Sequence, residues 1–321
     1  MARKLNWLPA CLGVCALLVL AAPPQAHASW RGANGSLVFV ANDDVDSAPP
    51  PGRGRTVRYR LITTRPDGSH ARVIFECENV RATGCQLLDG VSWSPDGQQI
   101  AFSLNGALAV INADGSGLRR LPRQSDYDRS PVWSPDGRQL AFIGLRRQPH
   151  ASDLYIVRAD GTSMRQLTAG ADAHELAWSP RGRIAYTDVT WRSTKAPYKF
   201  GAIYLVDTRG RSARRVLAGG QPRQLDWSAS GNRLLFTRDS YPHAVRQAGL
   251  WTLGADGTGR HALLENGYGG LFSPDGRQLV YYRNGTLYRS RVDGKRPHPI
   301  DFRTPREWNA DLESWQARTH R

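Results

Sequence analysis

The chain has 321 residues and a formal charge of +15, with 43 Lys and Arg against 28 Asp and Glu. The arginines are scattered through most of its length without a dense run, so the charge bears on solubility and nonspecific attraction to anions and specifies no nucleic-acid interface. Beyond the N-terminus no segment is apolar enough to cross a bilayer. No Gly-x-Ser-x-Gly nucleophile elbow and no phosphate-cradling Gly-rich loop occur, and His174-Glu175 is not continued into His-Glu-x-x-His.

Residues 1–28 are expected to form a secretory signal peptide. Arg3 and Lys4 supply the positive start, Leu12 to Ala22 the apolar stretch, and Ala26-His-Ala28 a small-x-small cleavage site. The apolar stretch is short for a membrane span; the alternative is an uncleaved anchor. Cys11 and Cys15 lie before or within that stretch, which does not suit a lipidated cysteine. Losing Arg3 and Lys4 leaves a mature charge of +13.

The next unit starts at Trp30. Its steps to Leu37 and Phe39 match those from Trp133 to Leu140 and Phe142, and Tyr59 to Thr64, Asp67-Gly68 and Arg72 to Phe75 complete it. Cys77 and Cys85 follow, the only cysteines of the mature chain. Export permits a disulfide between them; two free thiols are the alternative. The acidic run Asn42 to Asp46 lacks the Gly and distal Glu of a calcium-binding loop.

Then one phrase recurs five times: Trp93-Ser-Pro-Asp-Gly97, Trp133-Ser-Pro-Asp-Gly137, Trp178-Ser-Pro-Arg-Gly182, Trp227-Ser-Ala-Ser-Gly231 and Phe272-Ser-Pro-Asp-Gly276. The aromatic residues are 40, 45, 49 and 45 positions apart. Ser, Pro, Asp and Gly suit successive positions of a type I turn. A short apolar strand follows each turn, as in Ile100 to Phe102, and a second follows it, as in Leu108 to Ile111. A Gly-containing hairpin turn comes next, as in Asp114-Gly115. Each last strand ends near Leu121, Leu167, Leu217, Leu264 or Ile300. Near the C-terminus, Asp311-Leu-Glu-Ser-Trp315 resembles the entry to a repeat, but no turn or strand continues it.

A strand-rich repeat of this period predicts an all-β, six-bladed propeller with four antiparallel strands per blade, occupying residues 29–321. Residues 308–316 are expected to add the innermost strand to blade one, closing the ring and removing an open sheet edge. The repeated aromatics are expected between blades.

These motifs resemble the TolB-type WD-like propeller repeat, over about residues 30–316. That repeat also occurs in propellers attached to prolyl oligopeptidase-like enzymes and in oligogalacturonate lyases. The resemblance implies the propeller fold. It does not extend to the N-terminal mixed α/β domain of TolB, so docking to a peptidoglycan-associated lipoprotein is only weakly implied.

Two constellations are candidate ligand sites. Four residues before each repeat aromatic stand Asp89, Arg129, His174, Arg223, Tyr268 and Asp311, expected as a ring at the mouth of the central channel with Asp128 and Glu175 beside it. The plain alternative is a water-filled channel with compensating charges. Long loops gather on the face opposite the uniform turns, carrying Arg146, Arg147, His150, Trp191, Arg192, Lys195, Tyr198, Lys199, Tyr241, His243 and Arg246. Interleaved aromatics and cations there suit acidic glycans or peptides; ordinary solvated loops are the alternative.

The expected function is therefore a noncatalytic binding module, periplasmic or extracellular, monomeric, and without metal or cofactor. An envelope protein or an anionic wall polymer is the expected partner, and nucleic acid is not. The rival expectation is an enzyme acting on a polysaccharide or acidic sugar through His174, Arg129, Arg223 and Tyr268.

Overall fold

The computed structural model describes residues 33–44, 56–79, 85, 87–146, 151–188, 201–210, 213–238, 248–301 and 309–318. The segment expected as a signal peptide, and Trp30, lie outside them.

Among the described residues, twenty-four strands form six four-stranded antiparallel sheets. Blade one holds β1 (Ala33–Asp44), β2 (Val57–Thr64) and β3 (Arg72–Asn79). Blade two is β4 (Leu87–Trp93), β5 (Gln99–Leu104), β6 (Ala107–Asn112) and β7 (Arg119–Arg120). Blade three is β8 (Tyr127–Trp133), β9 (Gln139–Arg146), β10 (Ala151–Arg158) and β11 (Arg165–Gln166). Blade four is β12 (Ala173–Trp178), β13 (Arg183–Asp188), β14 (Ala202–Asp207) and β15 (Arg214–Ala218). Blade five is β16 (Pro222–Trp227), β17 (Arg233–Arg238), β18 (Gly249–Gly254) and β19 (His261–Glu265). Blade six is β20 (Gly267–Phe272), β21 (Gln278–Arg283), β22 (Thr286–Arg291) and β23 (His298–Pro299). The last strand, β24 (Asn309–Arg318), returns to pair with β1, placing Leu37 opposite Trp315 and Phe39 opposite Leu312. The expected closure is the one observed.

The second strands of the blades, and the third strands of blades two to five, are largely buried on both faces, which is why they read as nearly unbroken apolar runs rather than alternating ones. The repeat aromatics Trp93, Trp133, Trp178, Trp227, Phe272 and Trp315 are all buried. Trp227 also joins two blades by a hydrogen bond, its Nε1 donating to the Ala177 carbonyl of the preceding blade at 3.2 Å.

The turn phrase works through its side chains. Gly97 N donates to Ser94 O at 2.9 Å, closing the turn, and Gly97 sits at φ 67°, where glycine avoids the steric cost other residues meet. Ser94 Oγ donates to Asp96 Oδ1 at 2.6 Å and accepts from Gln99 N at 2.8 Å. Ser134/Asp136 and Ser273/Asp275 repeat the arrangement. At the outer hairpins Asp114 accepts from both Oγ and N of Ser116, which holds its carboxyl below the usual range. Asp67, Asp160 and Asp256 do likewise.

Much of the scattered arginine is structural. The first residue of an outermost strand reaches across to a carbonyl in a turn of the next blade: Arg72 to Asp114 O (3.0 Å), Arg119 to Ala159 O (3.0 Å), Arg165 to Thr208 O, and Arg214 to Asp256 O (3.1 Å). Blades five and six carry His261 and His298 at this place.

Cys77, on β3, and Cys85, just before β4, form a disulfide with Cα atoms 5.9 Å apart. Closing so short a loop constrains the unfolded chain by about 2–3 kcal/mol. Reduction, or the double change of Cys77 and Cys85 to Ala, is expected to lower stability by that amount. Denaturant midpoints of oxidised and reduced protein check this; equal midpoints would show a bond without stabilising effect.

Candidate functional site

The innermost strands β24, β4, β8, β12, β16 and β20 surround a central cavity of about 740 Å³. The six residues expected as a ring fall one per innermost strand: Asp311, Asp89, Arg129, His174, Arg223 and Tyr268. Only part of the ring is seen to face the cavity. His174, Arg223 and Tyr268 line it. Arg129 is not among its lining; its Nη2 reaches sideways to Ala173 O at 3.4 Å, joining blades three and four. The side chains of Asp89 and Asp311 lie outside the described ones, although their strands are in place.

The two acidic neighbours separate in the same way. Glu175 lines the cavity, accepts a hydrogen bond from Gln224 N, and brings Oε1 within 3.8 Å of His174 Nδ1. Asp128 is fully buried, accepting from Gln124 N at 2.7 Å and from Ser125 Oγ at 2.6 Å. Burial pushes its carboxyl up against the opposing effect of those bonds. Its role is to clasp the segment before β8.

Trp191, Lys195, Tyr198, Tyr241 and Arg246 lie outside the described residues, as do Arg147, His150, Arg192, Lys199 and His243. Arg146 is described, at the end of β9, where its guanidinium stands 5.7 Å from the Tyr155 ring centre of its own blade.

The structure adds residues that the spacing argument missed. Tyr282, opposite Tyr268 in register, stacks on it with ring centres 5.4 Å apart and planes 16° from parallel. Tyr268 keeps 41% of its surface exposed, so the pair presents an aromatic plate to solvent. Arg238, at the end of β17, also lines the cavity, with its guanidinium 5.1 Å from the Trp251 ring centre. Gln224 accepts from Thr237 Oγ1 and from Gly269 N, both at 2.8 Å, coupling blade five to blade six.

A bulge re-aims the inner strands. Between Arg223 and Asp226, and between Tyr268 and Leu271, the register with the second strand slips by one residue. Gln224 and Gly269 take φ of 54° and 63° there. A bulge twists its strand and turns side chains out of the regular alternation, which a period-two reading of short apolar runs does not detect.

A further column stands one residue before each aromatic. Ser314 Oγ accepts from Trp93 N (3.4 Å), Ser92 Oγ from Trp133 N (3.2 Å), and Asp226 Oδ2 from Phe272 N (2.7 Å). Burial pushes the Asp226 carboxyl up to about 8, outweighing the two backbone N–H groups that favour its anion. With Asp226 protonated near neutral pH, the described cavity wall on blades four to six holds the cations Arg223 and Arg238 against Glu175, with His174 beside that carboxylate. The wall on blades two and three is uncharged among its described lining side chains, with Val91, Ser92, Ser130 and Val132. The asymmetry suits an anionic ligand with a flat or ring-shaped face: guanidinium groups give charge-assisted hydrogen bonds and tyrosine gives a stacking surface. Among the described residues no three His, Cys, Asp or Glu side chains converge to hold a metal ion, and no helix is long and apolar enough to cross a membrane.

No curated protein sequence matches the chain. Among solved structures, TolB from Acinetobacter baumannii superposes with a TM-score of 0.63 at 18% identity, over 87% of this chain and 67% of that one. Putative TolB from Agrobacterium tumefaciens gives 0.59 at 16% identity, over 83% and 89%. Kuenenia stuttgartiensis hydrazine synthase gives 0.64 at 14% identity, over 89% of this chain and 47% of that one. At such identities the likeness is one of fold. The sequence profile of the TolB beta propeller domain matches residues 55–300, all but the two strands β1 and β24 that complete blade one. The chain belongs to the TolB β-propeller family.

Proposed function

We propose that the chain is an exported, noncatalytic binding module that takes an anionic protein segment or glycan at the mouth of its channel. The observation carrying this reading is the one-sided placement of His174, Arg223 and Arg238 beside the Tyr268–Tyr282 plate in a cavity of about 740 Å³. Export is supported by the Cys77–Cys85 disulfide, since such bonds persist in oxidising compartments, together with the leader-like pattern of residues 1–28. Trp191, Lys195, Tyr198, Tyr241 and Arg246 follow Asp188 and Arg238, the ends of β13 and β17, in the chain, and are proposed to serve the same ligand.

Polygalacturonate, a carboxylate polymer with sugar rings, serves as the probe. Titration is expected to show saturable binding that Arg223→Gln weakens about tenfold, the range for loss of one charge-assisted contact. Tyr268→Ala is expected to weaken it severalfold while lowering the melting temperature only slightly, because Tyr268 is 41% exposed and lies outside the buried core. Binding unaffected by either change would exclude the channel mouth as the site. Release of shortened, unsaturated or reducing oligosaccharides from the polymer would instead establish an enzyme acting on acidic sugars.

A further inference from the structure

A second cavity, of about 550 Å³, opens on blade six, at the end where the uniform turns lie. Its wall includes Arg277, Gln278, Arg289, Arg291, Arg296 and His298. Pairing explains how they meet. Gln278 lies opposite Arg291, and Arg289 lies opposite both Val280 on β21 and His298 on β23. Arg289 and Arg291, two apart on β22, face the same side. Arg277 enters from the turn before β21, and Arg296 from the turn before β23.

Arg289 is out of keeping with its position. The corresponding third-strand residues, read from the same register, are Thr63, Val110, Ile156, Leu205 and Thr252; Thr63 is half-buried and the other four are buried. Only blade six sets a cation there, and it is half-buried. Of the four arginines in this wall, Arg291 alone has a carboxylate partner among the described residues. Asp293 lies 3.8 Å from Arg291 Nε and accepts from Lys295 N. Asp275 is engaged by Ser273 Oγ, Arg277 N and Asn34 Nδ2. Among the described residues no carboxylate stands within ion-pair distance of Arg277, Arg289 or Arg296. These three also differ from Arg72, Arg119, Arg165 and Arg214, each of which is spent on a carbonyl of the next blade.

We propose that this cavity is a binding site for a soluble phosphomonoester of about sugar-phosphate size. Several guanidinium forks converging from three chain segments match the multiple oxygens and double charge of a phosphomonoester better than one carboxylate. The volume exceeds that of a bare phosphate and lies in the range of small-ligand sites, leaving room for a polar body against Gln278 and His298. A membrane surface is disfavoured as the source of phosphate, because the rim carboxylates Asp275 and Asp293 would be pressed against an anionic bilayer. The site lies apart from the channel mouth and does not depend on the function proposed for it.

Calorimetric titration of the whole protein with glucose 1-phosphate tests the site. Saturable binding is expected, weaker at about 0.5 M salt because exposed ion pairs are screened. Arg289→Gln is expected to weaken it about tenfold and Arg277→Gln severalfold, whereas Arg158→Gln, which lines neither cavity, leaves it unchanged. Orthophosphate should compete and glucuronate should not. Arg277, in an exposed turn, keeps the test open should Arg289→Gln disturb folding. Absence of saturable binding at millimolar ligand, or equal losses in Arg158→Gln, would overturn the proposal. Binding to phosphatidylglycerol vesicles that glucose 1-phosphate fails to displace would overturn it in favour of a membrane surface.

Discussion

Truncating Trp315 to Ala is expected to destabilise the protein by about 3–5 kcal/mol, the usual cost of emptying a large buried aromatic site, and deleting residues 309–318 is expected to cost more. Trp315 is 5% exposed and packs with Leu37, Phe39, Val280, Leu287 and Leu312, a cluster spanning blades one and six. Its Nε1 donates to Gly35 O at 3.2 Å. Its neighbours on β24 bind outward to blade two: Ser314 Oγ accepts from Trp93 N, and Gln316 Nε2 donates to Gly97 O at 2.7 Å. Removing the strand strips the inner edge of β1 of its partner and opens seams with both neighbouring blades. Chemical denaturation measures both variants. A deletion variant with an unchanged midpoint would show that β24 closes the ring without supporting it.

The second large effect concerns Asp226 and pH. Its carboxyl, 5% exposed, is pushed up to about 8 in the folded protein, above the ordinary carboxylate value it regains on unfolding. Between about pH 4 and 8 the folded state therefore holds a proton that the unfolded state releases. The stability this group contributes is complete below about pH 4, falls as pH rises toward 8, and changes little above that. The loss across that window is on the order of 5–6 kcal/mol, from the size of the shift. Asp226→Asn keeps an oxygen to accept from Phe272 N and has no proton to lose. Its stability relative to that of the unaltered protein is expected to rise steadily from about pH 4 to pH 8 and to stay constant below about pH 4. Parallel pH profiles from denaturant titrations would refute this account, since every other titrating group is common to both proteins.

Blade number, strand order and turn chemistry were legible because they are local and repeated. Trp93-Ser-Pro-Asp-Gly97 states its own turn: serine and aspartate bond backbone groups within five residues, and glycine supplies the positive φ. Closure by β24 was legible for a similar reason, as Trp315 copies the entry to a repeat without its continuation. The channel ring was legible as an order of strands and less so as an arrangement of side chains. Equal spacing brought Arg129, His174 and Arg223 to equivalent strand positions, yet Arg129 turns toward Ala173 O while the other two line the cavity.

Sequence periodicity alone determined a six-bladed sheet architecture, its turns and its buried aromatic columns, because each depends on contacts near in the chain or repeated at a fixed step. Only the tertiary structure decided which polar groups share a cavity. The inner-strand bulges redirect side chains locally, and the pairing of β21, β22 and β23 sets Arg289 and Arg291 beside Gln278 and His298. It also decided which charges are already engaged. Arg72, Arg119, Arg165 and Arg214 look no different in sequence from Arg277 or Arg289, but each of the four donates to a carbonyl some forty residues away. Such partners are set by how one blade stacks on the next, a geometry that exists only once the ring has closed.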